Sequence, residues 1–292
     1  YLTRCLSAIL GALTAIPVYR AGKELFGRKA GIFGALAIVL MPYHVWHSHY
    51  SLGDIPSVFL LSWGLYYSTL IIKSSNRKNY ILAGLFVGLS ASMKYNGGLP
   101  AIMVPIAHFL RIFWINKNED KIKNFQRIFL DSQDIKNLIF SGVFAFLGFL
   151  IGTPYALFDF KTFSRTDGPQ GAFWQFTNVG SVSSSQHFDK FLSESFGRLL
   201  VDTGYVVMPV FFIGLVCVLF KLIKKKTEEK DVYLSFIYVI SIFLIWYLAG
   251  FKNNRSHYYF IVYPFLAVIF GYFTSWIKES GWIKDFNLNL KN

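Results

Sequence analysis

The chain has 292 residues, of which 54% are hydrophobic, 19% aromatic and only 15% charged, whereas a soluble domain is about a quarter charged. Its mean hydropathy is +0.42, and the apolar residues come in continuous runs without the alternation of barrel strands. A disordered chain, a small secreted disulfide scaffold and an ordinary cytosolic enzyme are thereby excluded. An all-α, polytopic transmembrane helical bundle remains. The net charge of +13 does not call for nucleic acid as a partner, because helical membrane proteins collect Lys and Arg in their cytoplasmic loops.

Nine stretches have the length a spanning helix needs, about 20 residues or somewhat fewer. They are 4–20, 30–46, 54–72, 80–95, 97–114, 137–153, 204–222, 232–250 and 259–277. The fourth and fifth meet at a tight turn, Tyr95-Asn96-Gly97-Gly98; a shallow hairpin is the alternative for that pair. Cys5 and Cys217 lie inside apolar stretches, make no ligand spacing, and read as small buried side chains.

Charge orients the bundle. With the first stretch running from outside to inside, 21 of the 29 Lys and Arg residues fall inside and 8 outside, which is the expected bias. The N-terminus is then outside. Residue 1 is Tyr, and no basic leader precedes it, so the chain is expected to be a fragment lacking at least one upstream helix and its following outer loop. The reading divides the chain into three parts. Residues 1–153 form an N-terminal transmembrane part with six spans. Residues 154–203 form an extracytoplasmic loop, whose tail, 188–200, reads as an amphipathic surface helix or a small soluble cap. Residues 204–292 form a C-terminal transmembrane part with three spans.

Ionisable residues near hydrocarbon are the informative ones, since each is costly unless paired or facing water. Six acids fall on the outer side: Asp54, Asp159, Asp167, Asp189, Glu194 and Asp202. Asp54 opens the third stretch as Gly53-Asp54-Ile55-Pro56 and fits an N-cap. Capping does not account for the three histidines just before it, His44, His47 and His49. With Asp54, His47 and His49 admit a divalent metal site, although the spacing matches no standard motif and interfacial histidines are the alternative. Lys94 sits at the outer end of a stretch, where snorkelling is the plain reading. Lys252 and Arg255 lie in the last outer loop, on the side that should be poor in basic residues. The three cations can converge on an anion at the interface, and a lipid phosphate is the natural one there.

Four blocks resemble the lipid-carrier-dependent GT-C glycosyltransferases, the group holding the protein O-mannosyltransferases and the aminoarabinose transferases of lipid A. They are Arg4 to Gly34, with Leu25-Phe26-Gly27-Arg28; Ser48-His49-Tyr50-Ser51-Leu52-Gly53-Asp54-Ile55-Pro56; Ala83-Gly84-Leu85 through Lys94-Tyr95-Asn96-Gly97; and Thr153-Pro154-Tyr155-Ala156-Leu157-Phe158-Asp159. A fifth, Arg255-Ser256-His257-Tyr258-Tyr259 with Pro264-Phe265-Leu266, resembles the family's last basic loop. The resemblance implies a bundle of GT-C type and an inverting transfer of a sugar from a polyprenyl-phosphate carrier to a protein, lipid or glycan acceptor outside the cytoplasm. It implies Asp54 on the acceptor side, with the family's main base expected upstream of residue 1. It also implies Lys94, Tyr95, Asn96, Tyr155, Asp159, Lys252, Arg255 and His257 as substrate-binding residues.

The chemistry fits these residue types. A phosphate leaving group departs as an anion and needs no general acid; it needs fixed positive charge in a poorly hydrated place. The acceptor hydroxyl needs a carboxylate within reach. A transporter, the alternative class, would carry broken helices in two corresponding halves and acids near mid-helix, and the acids here sit at helix ends or in loops. A non-catalytic membrane scaffold is the third reading.

Overall fold

The computed structural model describes residues 1–115, 132–168, 171–174, 189, 193–194, 196–223, 230–249 and 255–279. All regular structure among them is helical. Helices Leu2–Leu13 (α1) and Ala15–Phe26 (α2) continue one another. Gly27, at φ 92°, then turns the chain into Arg28–Leu40 (α3), a backbone conformation that suits glycine. Pro42–Ser48 (α4) leads to Asp54–Lys73 (α5) and Arg77–Met93 (α6). The expected tight turn at Tyr95 is instead a 3-10 segment, Tyr95–Ile102, with Pro100 inside it, before Met103–Ile115 (α7). Then follow Ser132–Gly152 (α8), two single turns Tyr155–Phe158 (α9) and Phe160–Phe163 (α10), Phe196–Thr203 (α11), Val207–Ile223 (α12) and Lys230–Ala249 (α13). A second 3-10 segment, Ser256–Val262, runs into Tyr263–Glu279 (α14).

Among the described residues four helices are long and apolar enough to cross a membrane: Leu2–Phe26, Asp54–Lys73, Ile135–Gly152 and Ser256–Trp276. Counting each bent pair as one span, Arg28–Leu40 with Pro42–Ser48 at 58° and Gly197–Thr203 with Val207–Leu219 at 117°, gives up to six. Nine is not confirmed among the described residues. Two of the nine stretches fall short of a full span there: α6 has 17 residues, and the stretch after it is split between the 3-10 segment and a 13-residue helix.

Small residues set the closest helix contacts, as in membrane bundles generally. Gly84 and Gly88 of α6 press on the backbone at Ser141 and Ala145 of α8; a Cβ at either glycine would collide with a carbonyl oxygen. Gly271 of α14 meets Ala30 of α3 in the same way, and a Cβ on Gly34 would lie 2.9 Å from the Ala267 carbonyl. One hydrophobic core runs from Val18 through Ile55 and Phe211 to Phe273. The C-terminal helix therefore completes the N-terminal bundle rather than standing beside it. Of its 18-residue spanning window 83% is buried, against 17% for Ile135–Gly152, which puts α14 at the centre and α8 at the rim.

Two expectations change here. Cys5 lies on the exposed face of α1 and Cys217 is half-buried; an apolar helix at the rim turns half its residues outward. Residues 188, 190–192 and 195 of the surface helix expected over 188–200 lie outside the described residues. Its C-terminal part, in α11, has one buried and one exposed face: Leu199 is fully buried in the core, where α11 packs against α4 and the Ser256–Val262 segment, while Val201 is exposed.

Candidate functional site

The site gathers at one end of the bundle, where α5 begins and α6 ends. Gly53 makes the approach possible: a Cβ there would stand 2.5 Å from the Met93 carbonyl oxygen. Gly97 sits just as tightly, its missing Cβ 2.5 Å from Ser90 Oγ and 2.6 Å from Ser57 Oγ. Those hydroxyls tie α5 to α6, with Ser57 Oγ 2.8 Å from Ser90 Oγ and Ser90 Oγ donating to the Ser57 carbonyl at 2.9 Å.

On this frame Asp54 is the first residue of α5, buried, and preceded by Gly53 as the cap. Its carboxylate makes no capping bond. It takes the Lys94 ammonium on Oδ1 and has His47 Nδ1 3.5 Å from Oδ2. The capping reading is therefore corrected; the tertiary partner wins over the local one. Lys94 does not snorkel either. It ends α6 in extended backbone and folds inward, donating also to the His257 carbonyl at 2.9 Å, with its Nζ 5.1 Å from the Tyr258 ring centroid. Asn96 Nδ2 donates to the next carbonyl, Tyr258, at 3.0 Å, while its Oδ1 is buried without a partner. Lys94 and Asn96 thus staple the start of the Ser256–Val262 segment to the 3-10 turn. No local rule in the sequence joins residues 54, 94 and 257.

The other expected residues divide. The Tyr95 hydroxyl meets the Tyr155 hydroxyl at 2.6 Å, which links the turn to the chain just after α8. His257 lies within electrostatic reach of Lys94, Asp54, His47 and Arg255, and Arg255 itself is exposed. Lys252 lies outside the described residues. Asp159 stands apart: fully exposed, it caps Phe160–Phe163 by accepting from the Thr162 amide at 3.2 Å, and that hydrogen bonding holds its carboxyl below the ordinary carboxylate value.

The metal reading is corrected. Successive residues on a helix are about 100° apart, so His47 and His49 point to different sides of their turn. His49 is exposed with its Nδ1 2.8 Å from the Val45 carbonyl oxygen, and His44 is buried with Nε2 3.2 Å from the Gly11 carbonyl oxygen. Only His47 reaches Asp54. Among the described residues no three His, Cys, Asp or Glu side chains come together to hold a metal ion.

The arrangement is a buried carboxylate, neutralised by one lysine and flanked by a histidine, beside tyrosine hydroxyls and an exposed arginine. It can hold an anion beside Lys94 and take or orient a hydroxyl proton at Asp54.

Residues 2–126 match the family model described as dolichyl-phosphate-mannose-protein mannosyltransferase. A segment of 35 residues is 54% identical to the dolichyl-monophosphooligosaccharide–protein glycotransferase AglB of Haloferax volcanii, covering 12% of this chain and 3% of that protein. The fold is similar to ArnT of Cupriavidus metallidurans bound to undecaprenyl phosphate, with a TM-score of 0.60 and 16% identity over 97% of this chain and 47% of that one. It is also similar to the apo oligosaccharyltransferase of Archaeoglobus fulgidus, with a TM-score of 0.53 and 15% identity over 99% of this chain and 41% of that one. The chain spans under half the length of these structures. The likeness to these structures is one of fold, joined by a family-model match over residues 2–126.

Proposed function

We propose that this chain is the membrane part of a glycosyltransferase that moves a sugar from a polyprenyl-phosphate carrier to a hydroxyl- or amide-bearing acceptor on the extracytoplasmic side. The observation that carries the reading is the buried Asp54–Lys94 pair with His47 beside it, set at one end of a GT-C fold. The positive charge in it is already fixed, so it needs little reorganisation when an anion arrives. In the proposed step the acceptor attacks the anomeric carbon with inversion. The bond from that carbon to the phosphate oxygen breaks, and the carrier phosphate leaves with the electron pair beside Lys94 and Arg255. Asp54 takes or orients the acceptor proton once Lys94 has turned to the phosphate. Tyr95, Asn96, Tyr155 and His257 line the approach.

The test uses the full-length protein in membranes, supplied with radiolabelled polyprenyl-phosphate sugars. Transfer to a co-purified acceptor is expected with at least one sugar. Asp54→Asn, which keeps size and hydrogen bonding, is expected to lower turnover by about a hundredfold or more at unchanged expression. Full turnover in Asp54→Asn would remove the aspartate from the chemistry.

A further inference from the structure

A second acid stands close to this site, and the step proposed above does not use it. Asp202 lies in the last turn of α11, the helix packed on α4 and on the Ser256–Val262 segment. It is 7% exposed, and its Oδ2 is buried with no hydrogen-bond partner. Ser256, Arg198 and His47 are its polar neighbours, and Tyr43 and Tyr263 lie within its field. The Tyr263 hydroxyl is also buried without a hydrogen bond, and His47 Nδ1 has the Asp54 carboxylate 3.5 Å away. Native interiors hold few such groups, because each gives up water for nothing in return. Two of them, from α11 and α14, beside His47 describe a place that receives donors and acceptors from outside the chain.

The chemistry narrows what fills it. A metal ion is disfavoured by the ligand geometry, since no three His, Cys, Asp or Glu side chains converge among the described residues. A cationic group would meet the like charge of Arg198, which lies within electrostatic reach of the carboxylate. A neutral polyol meets neither objection: its hydroxyls donate to a carboxylate and accept from a histidine or tyrosine. Next to the orphaned atoms lies an aromatic ledge. The Tyr43 and Trp46 rings are 5.3 Å apart and Trp46 and Tyr50 are 5.5 Å apart, with Trp46 and Tyr50 exposed. A sugar ring has one polar edge and one face of C–H bonds, so it matches an acceptor set beside an aromatic surface. We propose that Asp202, His47 and the Tyr43–Trp46–Tyr50 ledge form a sugar-ring subsite, in which Asp202 Oδ2 accepts a hydrogen bond from one sugar hydroxyl.

This rests on the glycosyltransferase reading for the origin of the sugar, but binding is measurable without turnover. The full-length protein is placed in lipid nanodiscs, because sugar-headed detergents would compete. Tryptophan fluorescence is then titrated with the methyl glycosides of mannose, glucose, galactose and N-acetylglucosamine and their monodeoxy derivatives. Saturable binding of at least one glycoside is expected. One deoxy derivative should bind at least tenfold more weakly, and Asp202→Ala should weaken the parent glycoside by the same factor. The two losses should not add, because they remove the same contact. Equal affinity for every deoxy derivative of wild type overturns the proposal without reliance on any variant, as does unchanged binding in a normally melting Asp202→Ala. Absence of saturable binding by all the glycosides overturns it too. Asp202-dependent binding in a protein that transfers no sugar from any polyprenyl-phosphate donor would sink the glycosyltransferase reading and leave the subsite standing. Normal transfer with Asp202→Ala unaffected would do the reverse.

Discussion

Helix α5 carries an ion pair at each end, and the two differ. At its start Asp54 holds Lys94, with side chains 8% and 22% exposed; at its finish Lys73 holds Glu24 at 2.6 Å, with 55% and 29% exposed. Beyond the Lys73 pair, Arg77 Nε donates to Asn137 Oδ1 at 3.4 Å, and Asn137 Nδ2 to the Ser75 carbonyl at 2.9 Å. Around Asp54 the partners are His47 and Lys94, which also donates to the His257 carbonyl. An exposed pair contributes about 0–1 kcal/mol and weakens with salt. A buried pair gains little net stability, because desolvation offsets the attraction, yet removing one partner leaves an uncompensated charge. A protein that needed only a clasp between helices would be as well served by apolar residues. That the pair at Asp54 is buried, and the one at Lys73 is not, is what the proposed site at the Asp54 end rests on.

The comparison can be broken by stability. Asp54→Ala should cost about 3 kcal/mol or more, since Lys94 loses its counter-charge, whereas Lys73→Ala should cost about 1 kcal/mol or less. Equilibrium unfolding in bilayers measures both. Equal costs would mean that the two ends are electrostatically alike.

A somewhat smaller effect is expected in carrier affinity. Lys94→Gln and Arg255→Gln should each weaken binding of a polyprenyl phosphate by about 1.5–3 kcal/mol, roughly ten- to a hundredfold. The double variant should lose less than the sum, because one anion is shared. Lys73→Gln should leave affinity within twofold. Strictly additive losses at Lys94 and Arg255 would separate the two residues and move the phosphate elsewhere.

The frame can be probed through its glycines. Gly97→Ala places a methyl group against Ser57 and Ser90 and should cost about 1–3 kcal/mol by overpacking. At the rim, nothing lies within 4 Å of a Cβ on Gly142. Gly142→Ala should therefore be neutral or stabilise by about 0.5–1 kcal/mol, the helix-interior preference for Ala. Thermal melting of the two variants side by side sharpens the contrast.

The smallest effect belongs to Asp159. Its folded carboxyl titrates below the ordinary value of 3.8 because it caps the Thr162 amide. Its contribution is therefore present above the unfolded value and is lost as pH falls through the lower, folded one. Amide exchange of Thr162 should be faster in Asp159→Ala than in wild type at neutral pH. Identical exchange would show that the cap does nothing.

Much of the architecture was legible from residue order. Composition and the apolar runs identify a helical membrane protein, because only helices and closed barrels satisfy the backbone in hydrocarbon and the runs lack the alternation of barrel strands. The resemblance of the blocks around Asp54, Lys94 and His257 anticipated the GT-C fold. Helix breaks were harder. Pro100 and the paired glycines before it read as a turn, but packing of Gly97 on Ser57 and Ser90 draws the chain into a 3-10 segment. Asp202 carried no signal beyond its sign: nothing in Val201-Asp202-Thr203-Gly204 says that it is buried. Its burial comes from the 117° bend between α11 and α12, which Gly204 makes possible at φ 90° with Pro42 close by.

By itself, then, the sequence determined the solvent this protein lives in, the helical class and which polar residues were worth suspecting, since each follows from local composition and from the cost of charge in hydrocarbon. The tertiary structure alone decided that Asp54 pairs with Lys94 rather than capping its helix, that Lys94 turns inward rather than to the surface, and that His47 but not His49 joins them. Those outcomes depend on how closely α5, α6 and the Ser256–Val262 segment approach, which the missing side chains of Gly53 and Gly97 allow and no short-range pattern records.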